Sequence, residues 1–299
     1  MKGAKTRLVN PARRGITKSF WTVPDLDGLQ LIHSDFTDHV FPRHYHDTYV
    51  IGFHDVGGEE FRCRGVSHVS LAGSVILINP GEAHAGHSAD GGTWIYRGLY
   101  PSENLLRGLA GQLAGRGQNA PFFPATVVYD PRLAGSLLEA HRALETERCS
   151  LEGHTRLLLT LARLITRYAD AGYTPKPAGR ETRAVRAARD YIEAHYAENP
   201  SLGDLSSVTG LNPFYLVRVF RAEVGLPPHE YLTQVRVGRA MKLLSRGTPI
   251  ADVALETGFV DQSHLTSRFR RIVGVTPKQF ALGATPCTAP ADGLCGKRQ

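Results

Sequence analysis

Arg218 and Gln262 are the side chains best equipped to read the edge of a base. A guanidinium can donate two parallel hydrogen bonds to the acceptor pair of guanine, and a glutamine amide can pair with the neighbouring donor and acceptor of adenine. Arg221, Arg268, Arg270 and Arg271 stand close by in the chain. Their charge suits phosphate oxygens, which fix a protein on a duplex without specifying its sequence. These residues fall in two copies of one motif. Residues 210–228 read GLNPFYLVRVFRAEVGLPP and residues 258–277 read GFVDQSHLTSRFRRIVGVTP. Leu216 matches Leu265, Phe220 matches Phe269, Arg221 matches Arg270, Gly225 matches Gly274 and Pro228 matches Pro277.

Stepping outward, each copy follows a short amphipathic segment, LGDLSSVTG (202–210) or IADVALETG (250–258). A short helix, a glycine-bearing turn and a second helix make a helix-turn-helix. In the first, Ser201 and Asp204 approximate a capping box, Gly210 supplies the left-handed turn, and Asn212 caps the second helix ahead of Pro213. Leu202, Leu205, Val208, Leu216, Val219, Phe220 and Val224 are expected inside. Phe214, Tyr215, Val217, Arg218 and Arg221 are expected to be more exposed. In the second, Pro249 opens the unit, Gly258 closes its first helix and Asp261 caps the next. Ile250, Val253, Ala254, Leu265, Phe269, Ile272 and Val273 are the expected core. Gln262, Ser263, His264, Thr266, Ser267, Arg268 and Arg271 form the surface.

Between the copies, a helix from Pro228 to about Arg246 is expected to bury Tyr231, Val235, Ala240, Leu243 and Leu244. At 1.5 Å per residue such a helix spans about 27 Å, comparable to one turn of DNA. Residues 180–283 hold 14 Lys or Arg against 10 Asp or Glu, an excess too small to point to DNA by itself. A helical bundle repeated only for packing is the plainer alternative. The recurrence of the Gly, Leu, Phe and GxxP positions counts against it.

The stretch from about 183 to 283 resembles the DNA-binding domain of AraC/XylS-type bacterial transcription regulators. The residues that carry the likeness are Leu202–Gly210, Leu216–Phe220, Gly225–Pro228, Arg236, Arg239-Ala240, Ile250–Ala254, Gly258-Phe259, Asp261–His264 ahead of Phe269, and Gly274–Pro277. The resemblance implies seven helices that present two reading helices to adjacent major-groove segments of double-stranded DNA. It places base contacts on Phe214, Val217 and Arg218, and on Gln262, Ser263, His264, Thr266 and Ser267. Val217 departs from the polar residue often found there, and would suit a thymine methyl. The two copies agree in their cores and differ on their surfaces, so one subunit is expected to recognise an asymmetric site.

The N-terminal part is of another kind. Residues 20–100 run in short stretches rich in Val, Ile, His and aromatics, such as 49–53, 60–63 and 74–78, punctuated by Gly57-Gly58, Gly65, Gly73, Gly81 and Gly91-Gly92. Many short strands with evenly spaced turns predict a β-sandwich or small barrel. Residues FPRHYHDTYVIG (41–52) and LINPGEAHAGH (77–87) resemble a cupin barrel, the effector-binding domain attached to many such regulators. In metal-binding cupins an HxH pair, a glutamate and a later histidine hold the ion. His44, His46 and His84 match three of those positions, and Tyr49 stands near the expected glutamate. Three imidazoles could bind zinc or iron, but the carboxylate is missing. The resemblance instead implies a small organic effector and no metal or other cofactor, with His44, His46, Tyr49, His84 and Trp94 as candidate contacts. The rival from another class is a cupin metalloenzyme, of dioxygenase or isomerase type, fused to a DNA-binding domain.

The fold expected is therefore multidomain. A loose basic leader (1–15) precedes a cupin-like β-barrel sensor domain with a helical hairpin (16–169, hairpin 131–169). A Pro- and Gly-bearing linker (170–182) leads to the all-α domain (183–283), with helix-turn-helix motifs at 202–223 and 250–272, and a disordered tail (284–299). The hairpin's stripe of Leu157, Leu161, Leu164 and Ile165 is the expected homodimer contact, and RNA polymerase is a further candidate partner. The four cysteines form no CxxC, which argues against a zinc finger or disulfide framework and for reduced thiols in the cytoplasm. No apolar run reaches the ~18 residues of a membrane span, and the basic start has no apolar stretch behind it, so no secretory signal is expected. The net charge of +7 suits a polyanionic partner.

Overall fold

The computed structural model describes residues 17–37, 39–115, 117–147, 150–170, 179 and 181–284. The expected leader, most of the linker, nearly all of the tail, and Cys149, Cys287 and Cys295 lie outside them. The chain divides into two compact units between residues 178 and 179.

Among the described residues the first unit has ten strands and three α-helices. One antiparallel sheet has the order β1-β2-β9-β4-β7-β10, from Thr17–Val23, Leu29–Phe36, Trp94–Tyr100, Val50–Val56, Ser74–Ile78 and Val127–Tyr129. The other has the order β3-β8-β5-β6, from Val40–His44, His84–Ser88, Gly58–Cys63 and Val66–Leu71. The two sheets close on a shared core of Phe36, Val50, Phe61, Cys63, Ile76, Ile78, Trp94 and Tyr96. Alternation along β5 sends Glu59, Phe61 and Cys63 inward and leaves Arg62 outside.

Helices α2 (Pro131–Thr146) and α3 (Leu151–Tyr168) form the expected hairpin, and α1 (Glu103–Ala114) packs on α3. The hairpin is fastened to the larger sheet by polar side chains. Arg97 on β9 bonds Asp55, Glu145 and His141, and His141 reaches Ile32 O. One expectation fails here. Leu157, Leu161, Leu164 and Ile165 are all fully buried within the unit. The hairpin's apolar stripe is already covered, so those four side chains cannot be the contact with a second subunit.

The second unit has seven helices among its described residues. They are α4 (Thr182–Ala194), α5 (Leu202–Thr209), α6 (Pro213–Val224), α7 (Pro228–Leu244), α8 (Ile250–Glu256), α9 (Gln262–Val273) and α10 (Pro277–Ala284). Ser201 and Asp204 form the reciprocal capping box at α5, and Gly210 is left-handed at φ 67°. Asn212 and Asp261 cap α6 and α9 through their side chains. The buried face of α7 is Leu232, Arg236, Val237, Ala240 and Leu244, rotated from the expected one because Arg236 is drawn inside. Its Nε donates to Tyr196 O at 2.7 Å and its Nη2 to Asn199 Oδ1 at 2.6 Å. Gly258 combines φ 76° with a close approach, since a Cβ there would lie 2.9 Å from Ala197 Cα. No helix of the described residues is long and apolar enough to cross a membrane.

Candidate functional site

The second helix-turn-helix presents its polar face as expected. On α9, Gln262, Ser263, Ser267, Arg270 and Arg271 are exposed, while His264, Thr266 and Arg268 are half-buried. Gln262, Ser263, Thr266, Ser267, Arg270 and Arg271 line one broad depression with Thr276, which sequence reading had not singled out. Arg268 Nε bonds His264 Nε2 at 3.3 Å, and the His264 ring meets Phe259 edge-on at 5.3 Å. These two side chains brace the start of the helix.

The first helix-turn-helix is more closed. Phe214 and Val217, expected on the reading surface, are 1% and 0% exposed. Helix α6 packs against α4, α5 and α7, and its apolar sequence fills three sides rather than one. Of the expected surface residues Arg221 remains exposed, with Tyr215 and Arg218 half-buried. The Tyr215 hydroxyl donates to Glu181 at 3.2 Å, and the Arg218 guanidinium lies 5.8 Å from the Phe214 ring centre. Phe214 thus supports Arg218 instead of meeting a base itself.

In the first unit the three histidines converge. His44 and His84 are opposite residues of β3 and β8, with ring centres 4.4 Å apart. His46 lies 5.0 Å from His44 and 5.4 Å from His84. One ring nitrogen from each lies within 4.8 Å of the others, and among the described residues no carboxylate or thiol joins that group. His44 Nδ1 bonds Pro42 O and His84 Nδ1 bonds Glu82 O. Burial lowers His46 to about 4, with His84 and then His44 adding to the effect. Burial lowers His84 as well. At neutral pH these two rings are uncharged. Three imidazoles fit a divalent ion in donor type, without the acidic fourth ligand of a metal cupin.

The histidines form part of a cavity also lined by Phe41, Val50, Glu59, Phe61, Ile76, Ile78, Gly86, Tyr96 and Tyr100. Two of the expected contacts are not there. Tyr49 is buried with its hydroxyl donated to Pro121 O at 2.6 Å and its ring edge on Phe123, so it secures residues 121–123. Trp94 is fully buried against Phe36 in the core of the barrel. Glu82, near the histidines in sequence, is held by Arg64 at 2.7 and 3.0 Å and by Asn79 N–H.

Glu59, Tyr96 and Tyr100 were missed. The signal was the two-residue alternation in GEEFRC and WIYRGLY, which needs the strand register to say which of Glu59 and Glu60 faces inward. Tyr96 lies over Gly52 and Gly98, paired across β4 and β9; a Cβ on either would stand 2.8–2.9 Å from its ring or hydroxyl. Burial raises Tyr96 well above the usual phenol range and pushes Tyr100 up to about 12, so both hydroxyls keep their protons.

Comparison with known proteins agrees with this division. Residues 28–161 match the family model of an AraC-like ligand binding domain, and residues 205–282 match that of a helix-turn-helix domain. A relative from Bacillus subtilis, the uncharacterized HTH-type transcriptional regulator YbfI, is 35% identical over 228 residues, 75% of this chain and 81% of its own. The chain belongs to the AraC-type transcriptional regulators.

The HTH-type transcriptional activator RhaS of Escherichia coli is 26% identical to this AraC-type regulator over 81% of the chain and 88% of its own. Among solved structures, ToxT from Vibrio cholerae is 14% identical with a TM-score of 0.36, covering 86% of this chain and 98% of that one. Like its relatives, this AraC-type chain is a DNA-binding regulator with a ligand-binding domain, not an enzyme.

Proposed function

We propose that this regulator binds a small effector in the barrel cavity at His44, His46 and His84, and answers by changing its hold on DNA. The observation that carries the reading is the cavity itself, a polar interior of histidines, tyrosines and one glutamate inside an otherwise apolar barrel. A purely structural core would fill that space with side chains in contact. The effector acts to the extent that it binds one state of the protein better than another.

On DNA, α9 reads bases through Gln262, Ser263, Thr266 and Ser267, and α6 contributes Arg218 and Tyr215. Arg221, Arg268, Arg270 and Arg271 hold phosphates. The regulator acts in the cytoplasm as an activator, as RhaS is by name, with RNA polymerase as a partner. A homodimer through residues 131–169 would use the hairpin's outer side chains, such as Arg132, Glu139, Arg142 and Leu159, in place of the buried stripe. Selection of binding sites from a randomised duplex pool tests the reading. A defined asymmetric site, whose affinity shifts when an effector is added and stops shifting in His46→Ala, is the expected result. Recovery of no sequence preference would refute it.

A further inference from the structure

The cavity contains an acid with nothing to answer it. Glu59 is 8% exposed, and among the described residues its carboxylate makes no hydrogen bond or ion pair. Among the described residues no Lys or Arg lines the cavity. A carboxylate left in this state is costly, and such groups in folded proteins are normally paired.

The surroundings say what kind of partner would suit it. The carboxylate lies beside Gly86, whose lack of a side chain leaves it uncovered; a Cβ there would stand 3.5 Å from Glu59 Oε2. Glu59 faces the cavity together with Phe41, Phe61, Tyr96 and Tyr100. Aromatic faces around a buried carboxylate attract an organic cation by cation–π contact as well as by charge. The cavity is small, about 40 Å³. A cavity of this size accepts a charged head group and little more. Resting on the cavity being the effector site, we propose that the effector carries a primary ammonium or amidinium group, seated on Glu59 within the ring of Phe41, Phe61, Tyr96 and Tyr100.

A divalent metal is also a cation, and the three histidines would be its ligands. The organic cation is favoured because Glu59 stands apart from the group of mutually close ring nitrogens, among aromatic side chains.

The test uses the full chain at pH 8 and two matched pairs, propylammonium with 1-propanol and acetamidinium with acetamide. Calorimetry and ligand-observed NMR should find saturable binding of at least one cation, at least tenfold tighter than its neutral isostere. Glu59→Gln should abolish that preference while its melting stays cooperative. Equal binding of cation and neutral isostere, or a preference that survives Glu59→Gln, overturns the proposal but leaves the cavity as an effector site. Stoichiometric zinc or manganese lost in His46→Ala, with no cation bound, overturns it in favour of a metal. Silence from both pairs overturns the cation and the effector cavity together.

Discussion

Arg97 Nη1 lies 2.9 Å from His141 Nδ1, joining strand β9 to the helical hairpin in the interior of the first unit. The guanidinium can only donate, so Nδ1 must be the bare acceptor and Nε2–H donates to Ile32 O at 3.0 Å. That tautomer leaves no place for a second ring proton. Burial, with Arg97 behind it, pushes His141 down to about 3.

The first prediction is acid lability. The unfolded chain takes up a proton at His141 below about pH 6.5, while the folded chain resists until about 3. Stability is therefore complete above 6.5 and is lost as pH falls towards 3. His46 and His54, each lowered to about 4 mainly by burial, have the same sign. Each ring contributes up to about 1.4 kcal/mol per pH unit within its window. Denaturant melts between pH 7 and 4.5 should show the slope, and His141→Gln should flatten it. An unchanged slope in that variant would remove His141 from the explanation.

Glu59 has the opposite sign. Burial raises it from 4.5 to about 7, so the stability it contributes is whole below 4.5 and is lost as pH rises through 7. Glu59→Gln should melt like the parent at pH 4.5 and be more stable at pH 8, by about 3 kcal/mol at most. Equal stability at both pH values would mean that the carboxylate is solvated in the native state.

Gly98→Ala should cost about 1–3 kcal/mol, because the new methyl overlaps the ring of Tyr96. Gly108→Ala, in α1 with open space around it, should be neutral or stabilising by up to about 1 kcal/mol. Thermal melts of the pair decide it. A Gly98→Ala protein as stable as its parent would show that Tyr96 can leave its shelf freely.

On DNA, Arg218→Ala should cost about 1–3 kcal/mol on the selected site and relax one position, whereas Arg271→Ala should weaken all sequences alike and lower the salt slope by about one. Gel-shift series over single-base variants at several salt concentrations separate the two. Equal losses on every sequence would make Arg218 a phosphate contact.

Phe214→Ala and Val217→Ala should act on stability before specificity. Removing the Phe214 side chain from its site should cost about 3–5 kcal/mol, and Val217→Ala less. A folded Val217→Ala protein that changes base preference at one position, with no change in melting, would return Val217 to the reading surface.

Much of the architecture was legible in the sequence because it is written in local signals. Ser201, Gly210, Asn212 and Asp261 act on residues two to four places away, so helix starts and stops could be read directly. The three histidines were legible through their motif. What failed depended on packing between distant segments. Phe214 and Val217 lie on a helix covered from three sides, and no periodicity counts how many neighbours a helix has. Tyr49 turns towards Pro121, 72 residues on, and Leu157 and its companions find their cover inside the unit. Glu59 required knowing which of two adjacent glutamates points inward.

The unequal exposure of α6 and α9 has a consequence for the genome. One helix exposes a few polar side chains and the other exposes a whole polar face. The information in each operator should then be lopsided, with most of its bits in the half beneath α9. Across the promoters this regulator controls, that half should stay nearly fixed while the other drifts. Turning a site end for end should silence it, which gives a single chain the means to point in one direction along a chromosome.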